Sequence, residues 1–149
     1  MNQNNPINKF AHFDSSNFPQ IHVRFQSTIN HIDEYNQFEK DWLECYQQNK
    51  HFYFIFDISN VGYVNPIYTY YLTLFIQDLK ARNLKLLDFS IIIVHNWYIK
   101  QLLNGIFEIQ KPVSTVYIVE KTNLQLNELI QDIHSNNVKD KIDKIIIKK

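Results

Sequence analysis

The sequence is poor in glycine, since only Gly62 and Gly105 occur among its 149 residues. Glycine-rich loops that hold the phosphates of dinucleotides or nucleoside triphosphates need several glycines close together. The sequence therefore argues against a nucleotide site of either type.

Cysteine, net charge and long apolar runs are scarce as well. The single cysteine, Cys45, cannot form an intramolecular disulfide, and the start MNQNNPINKF lacks the features of a secretory signal, so we expect a reducing, cytoplasmic location. A formal net charge of +0 gives no overall attraction to nucleic acid. The longest apolar runs, of about five residues, fall far short of the roughly 20 that cross a bilayer. We expect neither a nucleic-acid partner nor a membrane span.

Residue types that carry catalysis are present without the spacing of catalytic motifs. The 6 histidines form no H-x-x-H or H-E-x-x-H pair, so we expect no metal site. No serine stands in a G-x-S-x-G sequence. Cys45 lies between apolar positions of a predicted helix, where we expect it to be partly buried and unreactive. These patterns favour a protein that is not an enzyme and needs no cofactor.

The strongest structural pattern lies in residues 51–82. Residues 52–56, FYFIF, place no polar side chain on either face, which is typical of a central strand covered on both sides. Asp57 and a loop follow, and then Asn65 provides an N-cap while Pro66 suits the first position of a helix. Apolar residues recur after Pro66 at helical spacing. The segment is predicted to be a buried strand, a loop and a covering helix.

The rest of the chain alternates strand and helix patterns. Residues 14–17 predict a turn, residues 21–25 a strand near a sheet edge, and residues 86–94 a second strand buried on both faces. Asn30 and Asn96 are the predicted N-caps of helices that follow strands. The order of elements predicts an α/β fold with one mixed, mostly parallel sheet covered by helices.

The predicted domain spans residues 9–138. Residues 1–8 are polar and predict a disordered tail. Residues 139–149 mix lysine with isoleucine and predict either an edge strand or a frayed end. The abundance of Asn, Ile, Lys, Tyr and Phe is typical of translation of an AT-rich genome, so we give surface Asn and Lys no functional weight.

Residues 57–61, Asp-Ile-Ser-Asn-Val, follow the buried strand and match the sequence D-[LI]-S-x-[VL] of STAS domains, the anti-sigma-factor antagonist-like superfamily. Residues 90–107 match the next strand and helix of that family in apolar pattern. The chain from the central strand onward therefore resembles a divergent STAS domain. The resemblance implies an α/β fold and a regulatory role in protein–protein interaction.

The second half of the family motif, D-S-S-G, is replaced here by Asn65-Pro66-Ile67-Tyr68. The serine that is phosphorylated in family members falls at Ile67, which has no hydroxyl. The resemblance therefore implies an interaction module without the family's switch, in which a phosphate charge at a helix N-terminus alters an interface. Thr69 carries the nearest hydroxyl that could replace that serine.

A weaker, topological resemblance concerns residues 87–96, LDFSIIIVHN, which are similar to the penultimate strand and helix start of CRAL-TRIO lipid-binding domains. Those domains use a longer chain to enclose a lipid. This resemblance implies a shared order of strands and helices.

The first functional interpretation is a non-enzymatic module that binds another protein or a second copy of itself. Tyrosines cluster around the predicted helix start, and helix positions 70 and 71 point about 100° apart, so one core face cannot bury them all. Exposed tyrosines near a helix start are typical interface anchors. The predicted interaction surface comprises Asp57, Asn60, Tyr63, Asn65, Tyr68, Thr69 and Tyr71.

The alternative is a domain that binds a small, lipid-like ligand or catalyses a minor reaction. Asp57 and His95 each follow a predicted buried strand, and the carboxyl ends of neighbouring parallel strands meet at one edge of a sheet. Asp57, His95 and Asn96 would line a pocket there, with Asp57 and His95 as base and orienter. Asp57 could instead cap backbone donors of the loop that follows it.

Overall fold

The computed structural model describes residues 9–26, 28–121, 125–136 and 144–147. The predicted tail at 1–8, and most of the tail at 139–149, lie outside the described residues. Within the described part there are six strands and four α-helices. They are β1 Ala11–Asn17, β2 Gln20–Phe25, α1 Ile32–Glu44, β3 Phe52–Asp57, α2 Pro66–Arg82, β4 Leu87–Val94, α3 Trp97–Ile109, β5 Thr115–Glu120, α4 Leu126–His134 and β6 Lys144–Ile147.

The strands form one sheet in the order β1-β2-β3-β4-β5-β6. β2, β3, β4 and β5 are parallel to one another, and β1 and β6 pair antiparallel at the two edges. The predicted α/β class with a mixed, mostly parallel sheet is confirmed. β6 also shows that part of the lysine- and isoleucine-rich tail forms an edge strand.

The central strand β3 is covered on both faces, as its unbroken apolar sequence predicts. Phe52, Phe54 and Phe56 pack in a core that includes buried residues of α1, α2 and α3. Tyr53 and Ile55 point the other way and pack with Leu129 of α4. The chain crosses the sheet in one direction from β2 to β5, and crossovers between parallel strands share a right-handed sense. The helices in these crossovers, α1, α2 and α3, therefore lie on one face of the sheet.

Two of the three predicted N-caps, Asn30, Asn65 and Asn96, are present in the structure. Asn65 Oδ1 accepts a hydrogen bond from the backbone N–H of Ile67 at 3.1 Å, with Pro66 in the first turn. Asn96 caps α3 in the same way. The prediction for Asn30 is wrong, because His31 occupies the N-cap of α1 without a side-chain bond.

Candidate functional site

The loop of residues 58–65 crosses the carboxyl edge of the sheet between β3 and α2. Asp57, the last residue of β3, precedes it. Asp57 Oδ1 accepts hydrogen bonds from the backbone N–H of Ser59 at 3.0 Å and from the Ser59 hydroxyl at 2.5 Å. A carboxylate used in this way shapes a turn and satisfies backbone donors. The geometry therefore matches the loop-capping interpretation of Asp57.

Three consecutive carbonyl groups fasten this loop to neighbouring elements. Gly62 O accepts from Asn96 Nδ2 at 3.1 Å, and Tyr63 O accepts from Thr28 Oγ1 at 3.3 Å. Val64 O accepts from the Tyr98 hydroxyl at 3.2 Å. Because side chains from two separate parts of the chain hold its backbone, the loop has a defined path over the sheet edge. Only the capping role of Asn96 was predicted from the sequence. The amide of asparagine, unlike the carboxylate of aspartate, can also donate a hydrogen bond, and this donor was the signal for the bond to Gly62 O.

The structure gives no hydrogen bond between Asp57 and His95, the predicted base and orienter, although both lie in the described part of the chain. His95 is exposed. The amide of Asn96 is used by the backbone of α3 and by Gly62. Within the described ranges, no three His, Cys, Asp or Glu side chains are grouped so that they could hold a metal ion.

An exposed apolar patch lies at the same end of the molecule as the loop. Ile67, Tyr70 and Leu74 are three and four residues apart, so they form one outward stripe on the first turns of α2. Tyr63 on the loop and Trp97 at the start of α3 are also exposed, at 58% and 73%. The Tyr63 ring stacks on that of Tyr98, the residue after Trp97, at 5.9 Å. We call these five residues the aromatic surface.

The aromatic surface differs in part from the predicted interaction surface. Tyr68 and Tyr71 are half-buried, and their rings lie 5.6 and 5.8 Å from that of Tyr35 in the core. Thr69 is also half-buried, and its hydroxyl donates to Pro66 O at 2.6 Å. Of the three tyrosines in the predicted interaction surface, Tyr63 is the one that is well exposed.

The other predicted members of the surface are polar. Asn60 and Asn65 are exposed, and Asn65 already caps α2. Ile67, Leu74 and Trp97 were not predicted from the sequence to belong to an interaction surface, although all three are exposed. The signal for the first two was their helical spacing with Tyr70, which places them opposite the buried side of α2.

A cavity of about 160 Å³, partly open to solvent, lies between the sheet and the layer of α1, α2 and α3. Phe56, Ser90, Ile92 and Val116 of the sheet contribute to its lining, as do residues of all three helices. No charged side chain lines it. The cavity reaches the strand ends through Ile58, Val61 and Val64 of the 58–65 loop, although Asp57 and His95 are not among its lining residues.

The position of Ser90 explains why space remains at this point of the core. Along β4, Phe89, Ile91 and Ile93 pack on the α4 side, whereas Ile92 and Val94 pack on the opposite side. Ser90 shares that opposite side, because side chains alternate along a strand. Its neighbours across the sheet are Phe54 and Val116. A small side chain thus stands in a row of larger ones, directly beneath the helices.

Tyr35 lines the cavity and carries a hydroxyl that stays uncharged. Its hydroxyl donates a hydrogen bond to Glu39 Oε1 at 2.9 Å. Burial, followed by the negative charge of Glu39, raises the pKa of Tyr35 above its ordinary value of 10.0, so the hydroxyl stays protonated at neutral pH.

Comparison with known protein families, characterised proteins and solved structures finds no match to this chain. None of the helices in the described ranges is both long and apolar enough to cross a membrane. A function is therefore inferred from the geometry of the chain itself.

Proposed function

We propose that the protein is a non-enzymatic interaction module that binds another protein, or a second copy of itself, through the aromatic surface. The observation that carries this proposal is the exposure of Trp97, at 73%, together with Tyr63 and Tyr70, at 58% each, at one end of the molecule. Tryptophan and tyrosine are the residue types most enriched among the anchors of protein interfaces. Exposed apolar surface of this kind marks protein interaction sites when it forms a continuous patch.

The limits of the patch on α2 also support docking of a partner. The outward stripe is apolar at Ile67, Tyr70 and Leu74, and it continues with Gln77, which is exposed and polar. An apolar centre with a polar margin is the usual composition of an interface. The stripe therefore supplies both the anchors and the edge of a contact.

The sequence resemblance supports a more specific proposal, that the module is a divergent STAS-like domain with a regulatory role. Residues 57–61 carry the Asp-Ile-Ser-Asn-Val sequence, and the mostly parallel sheet is the kind of fold that the resemblance implies. The engagement of Asp57 with Ser59 favours a structural over a catalytic role for that carboxylate. We further propose a cytoplasmic location, which suits a chain with one unpaired thiol.

The test compares single alanine variants of the whole chain in sedimentation equilibrium and in affinity capture. Tyr70→Ala and Trp97→Ala each remove an exposed anchor, while Gln77→Ala changes the polar end of the same α2 stripe and serves as the control. Truncation of an interface anchor costs about 2 kcal/mol, or roughly a thirtyfold loss of affinity. The melting temperature should hardly change, because exposed side chains contribute little to the stability of the monomer.

Support requires that both aromatic variants weaken association and that Gln77→Ala does not. A wild-type protein that stays monomeric at high concentration, and that captures no partner sensitive to Tyr70→Ala or Trp97→Ala, would overturn the proposal.

A further inference from the structure

We infer that His51 is a phosphoryl acceptor, whose Nε2 takes a phosphoryl group from a small anionic donor of the phosphoramidate type. The site consists of a hydrogen bond of 2.7 Å between His51 Nδ1 and Asp88 Oδ1, with two lysines nearby, at the edge of the sheet where the parallel strands begin. The aromatic surface lies at the opposite edge, so this inference is independent of the proposed interaction.

The sheet itself sets the contact between His51 and Asp88. His51 immediately precedes β3, and Asp88 is the second residue of β4. The two strands are parallel neighbours, with Phe52 opposite Leu87. The backbone N–H of Phe52 also donates to Leu86 O at 3.0 Å. Side chains placed by paired strands keep a more precise geometry than side chains on loops.

The partner of Nδ1 decides which nitrogen of the ring can react. An ionised carboxylate only accepts hydrogen bonds, so Nδ1 carries the proton and donates the bond to Asp88 Oδ1. When the ring is neutral, its lone pair is therefore on Nε2. Nε2 has no hydrogen-bond partner among the described residues, and 67% of the His51 side chain is exposed. A nucleophilic nitrogen is thus accessible to a molecule in solution.

Lys50 and Lys85 provide positive charge for an anionic donor. Lys50 precedes His51, and Lys85 lies two residues before β4, so both stand at the same edge of the sheet. Both are exposed, and neither forms an ion pair within the described part of the chain. Unpaired cations attract an anionic phosphoryl donor and neutralise part of the charge that it brings to the ring. An uncharged acyl donor would gain nothing from these lysines.

The reaction step balances without a further reactant. The lone pair of Nε2 forms the new N–P bond, and the P–N bond of phosphoramidate breaks with its electron pair remaining on the leaving nitrogen. Ammonia departs without a proton transfer, because the zwitterionic donor already carries three protons on that nitrogen. The ring keeps the Nδ1 proton and becomes an imidazolium, whose positive charge the Asp88 carboxylate stabilises. Asp88 therefore directs the phosphoryl group to Nε2.

The experiment treats the full chain with phosphoramidate at pH 8 and follows each histidine by peptide mass spectrometry under alkaline conditions, which preserve phosphohistidine. His31 and His95 are internal references, because both are exposed and neither hydrogen-bonds to a carboxylate within the described ranges. His51 should be modified about fivefold faster than either, the upper end of what one exposed charged pair contributes. Nitrogen-15 NMR of the ring should place the phosphate on Nε2.

Three variants and a control separate the contributions. Asp88→Asn keeps an oxygen that can accept from Nδ1–H and removes the charge, so His51 should react no faster than the reference histidines. Lys50→Gln and Lys85→Asn should each slow the reaction about twofold, as expected for exposed charges. Asparagine suits position 85, where φ is 55°. Lys121→Gln removes an exposed lysine just after β5, at the opposite edge, and should leave the rate unchanged.

Equal rates of modification of His51, His31 and His95 would overturn the inference, because exposure alone would then account for the reaction. Phosphate on Nδ1 of His51 would overturn it as well, since the bond to Asp88 occupies that nitrogen. Asp88 is 48% exposed, so Asp88→Asn should fold and melt like the wild type. A folded Asp88→Asn protein that reacts at the wild-type rate would remove Asp88 as the directing group.

Discussion

The side-chain amide of Asn96 donates a hydrogen bond to the carbonyl oxygen of Gly62 at 3.1 Å, while its Oδ1 accepts from the backbone N–H of Tyr98 at 2.8 Å. One side chain thus caps α3 and holds the 58–65 loop. That loop contributes Tyr63 to the aromatic surface and Val61 to the lining of the cavity. The aromatic surface and the cavity therefore depend on the same support.

We expect the two bonds of Asn96 to be separable by substitution. Asn96→Ala removes both and should lower the free energy of unfolding by about 1 to 2 kcal/mol, the usual effect of losing an N-cap. Asn96→Asp keeps the acceptor for Tyr98 and loses the donor to Gly62, so its effect on unfolding in urea should be smaller. Amide hydrogen exchange in residues 60–64 should speed up in both variants. Equal losses of stability would contradict this division.

Ile55 tests the central position of β3. Ile55 is 0% exposed and packs against the α4 side of the sheet. Ile55→Asp should prevent folding, because an unpaired buried charge costs several kcal/mol against a total stability of roughly 5 to 15. Leu84→Asp, at an exposed position after α2, is the control and should fold. A soluble Ile55→Asp protein that melts cooperatively would show that this strand is not central.

The fold could largely be predicted because its two middle strands have an unmistakable pattern. An apolar run such as 52–56 is stable in water only when both faces of the strand are covered, which requires a central position. Short polar stretches were less informative. Residues 14–17 predicted a turn, yet they lie in β1, where Asp14 Oδ1 accepts from Ser16 N at 2.9 Å and the register with β2 shifts. The side-chain hydrogen bond from Asp14, which is typical of a turn, occurs here at an irregularity within a strand.

The candidate sites were less predictable, because they depend on how helices pack. Helical spacing showed that Tyr70 and Tyr71 point in different directions, but the side of α2 that meets the core is set by contact with Tyr35 of α1. The cavity depends on three helices spanning the sheet above Ser90. No local pattern in the sequence describes how far those helices lie from the sheet. Capping by Asn65 and Asn96 was predictable, because it involves only neighbouring residues.

Cys45 should react slowly in the folded protein. Burial, then the negative charges of Asp41 and Glu44, raise the pKa of the Cys45 thiol from 9.0 to about 12. The thiolate is the reactive form, so alkylation at pH 8 should be on the order of a hundred- to a thousandfold slower than in the unfolded chain. A thiol reagent with an optical signal measures both rates on this single cysteine. Rapid alkylation of the folded protein would contradict the prediction.

The same shift predicts how stability depends on pH. Between about pH 9 and 12 the folded chain keeps the Cys45 proton while the unfolded chain loses it, so unfolding releases a proton. The contribution of this thiol to stability is therefore complete below pH 9 and is lost as the pH rises through that window. Cys45→Ala should lack this component when urea unfolding is measured across the range.

Ile67 tests whether a charge at the start of α2 controls association. It stands in the first turn of the helix, belongs to the aromatic surface and has no hydroxyl, whereas the nearby Thr69 hydroxyl is bonded to Pro66 O. Serine and threonine kinases that act on STAS domains should therefore leave residues 65–71 unmodified, as measured by mass spectrometry. Phosphate on Thr69, together with altered partner binding, would contradict this expectation.

Ile67→Asp adds the missing charge directly, and Ile67→Asn is a neutral control of nearly the same shape. Asp in the first turn interacts favourably with the helix dipole, so the free energy of unfolding should rise by about 0.3 to 1 kcal/mol relative to Ile67→Asn. Association should nevertheless be weaker for Ile67→Asp, because the contact must remove a carboxylate from water. Sedimentation and urea unfolding of the two variants measure these opposite effects. If the two variants associate equally, the start of α2 lies outside the interface, and the contact must be sought nearer to Trp97.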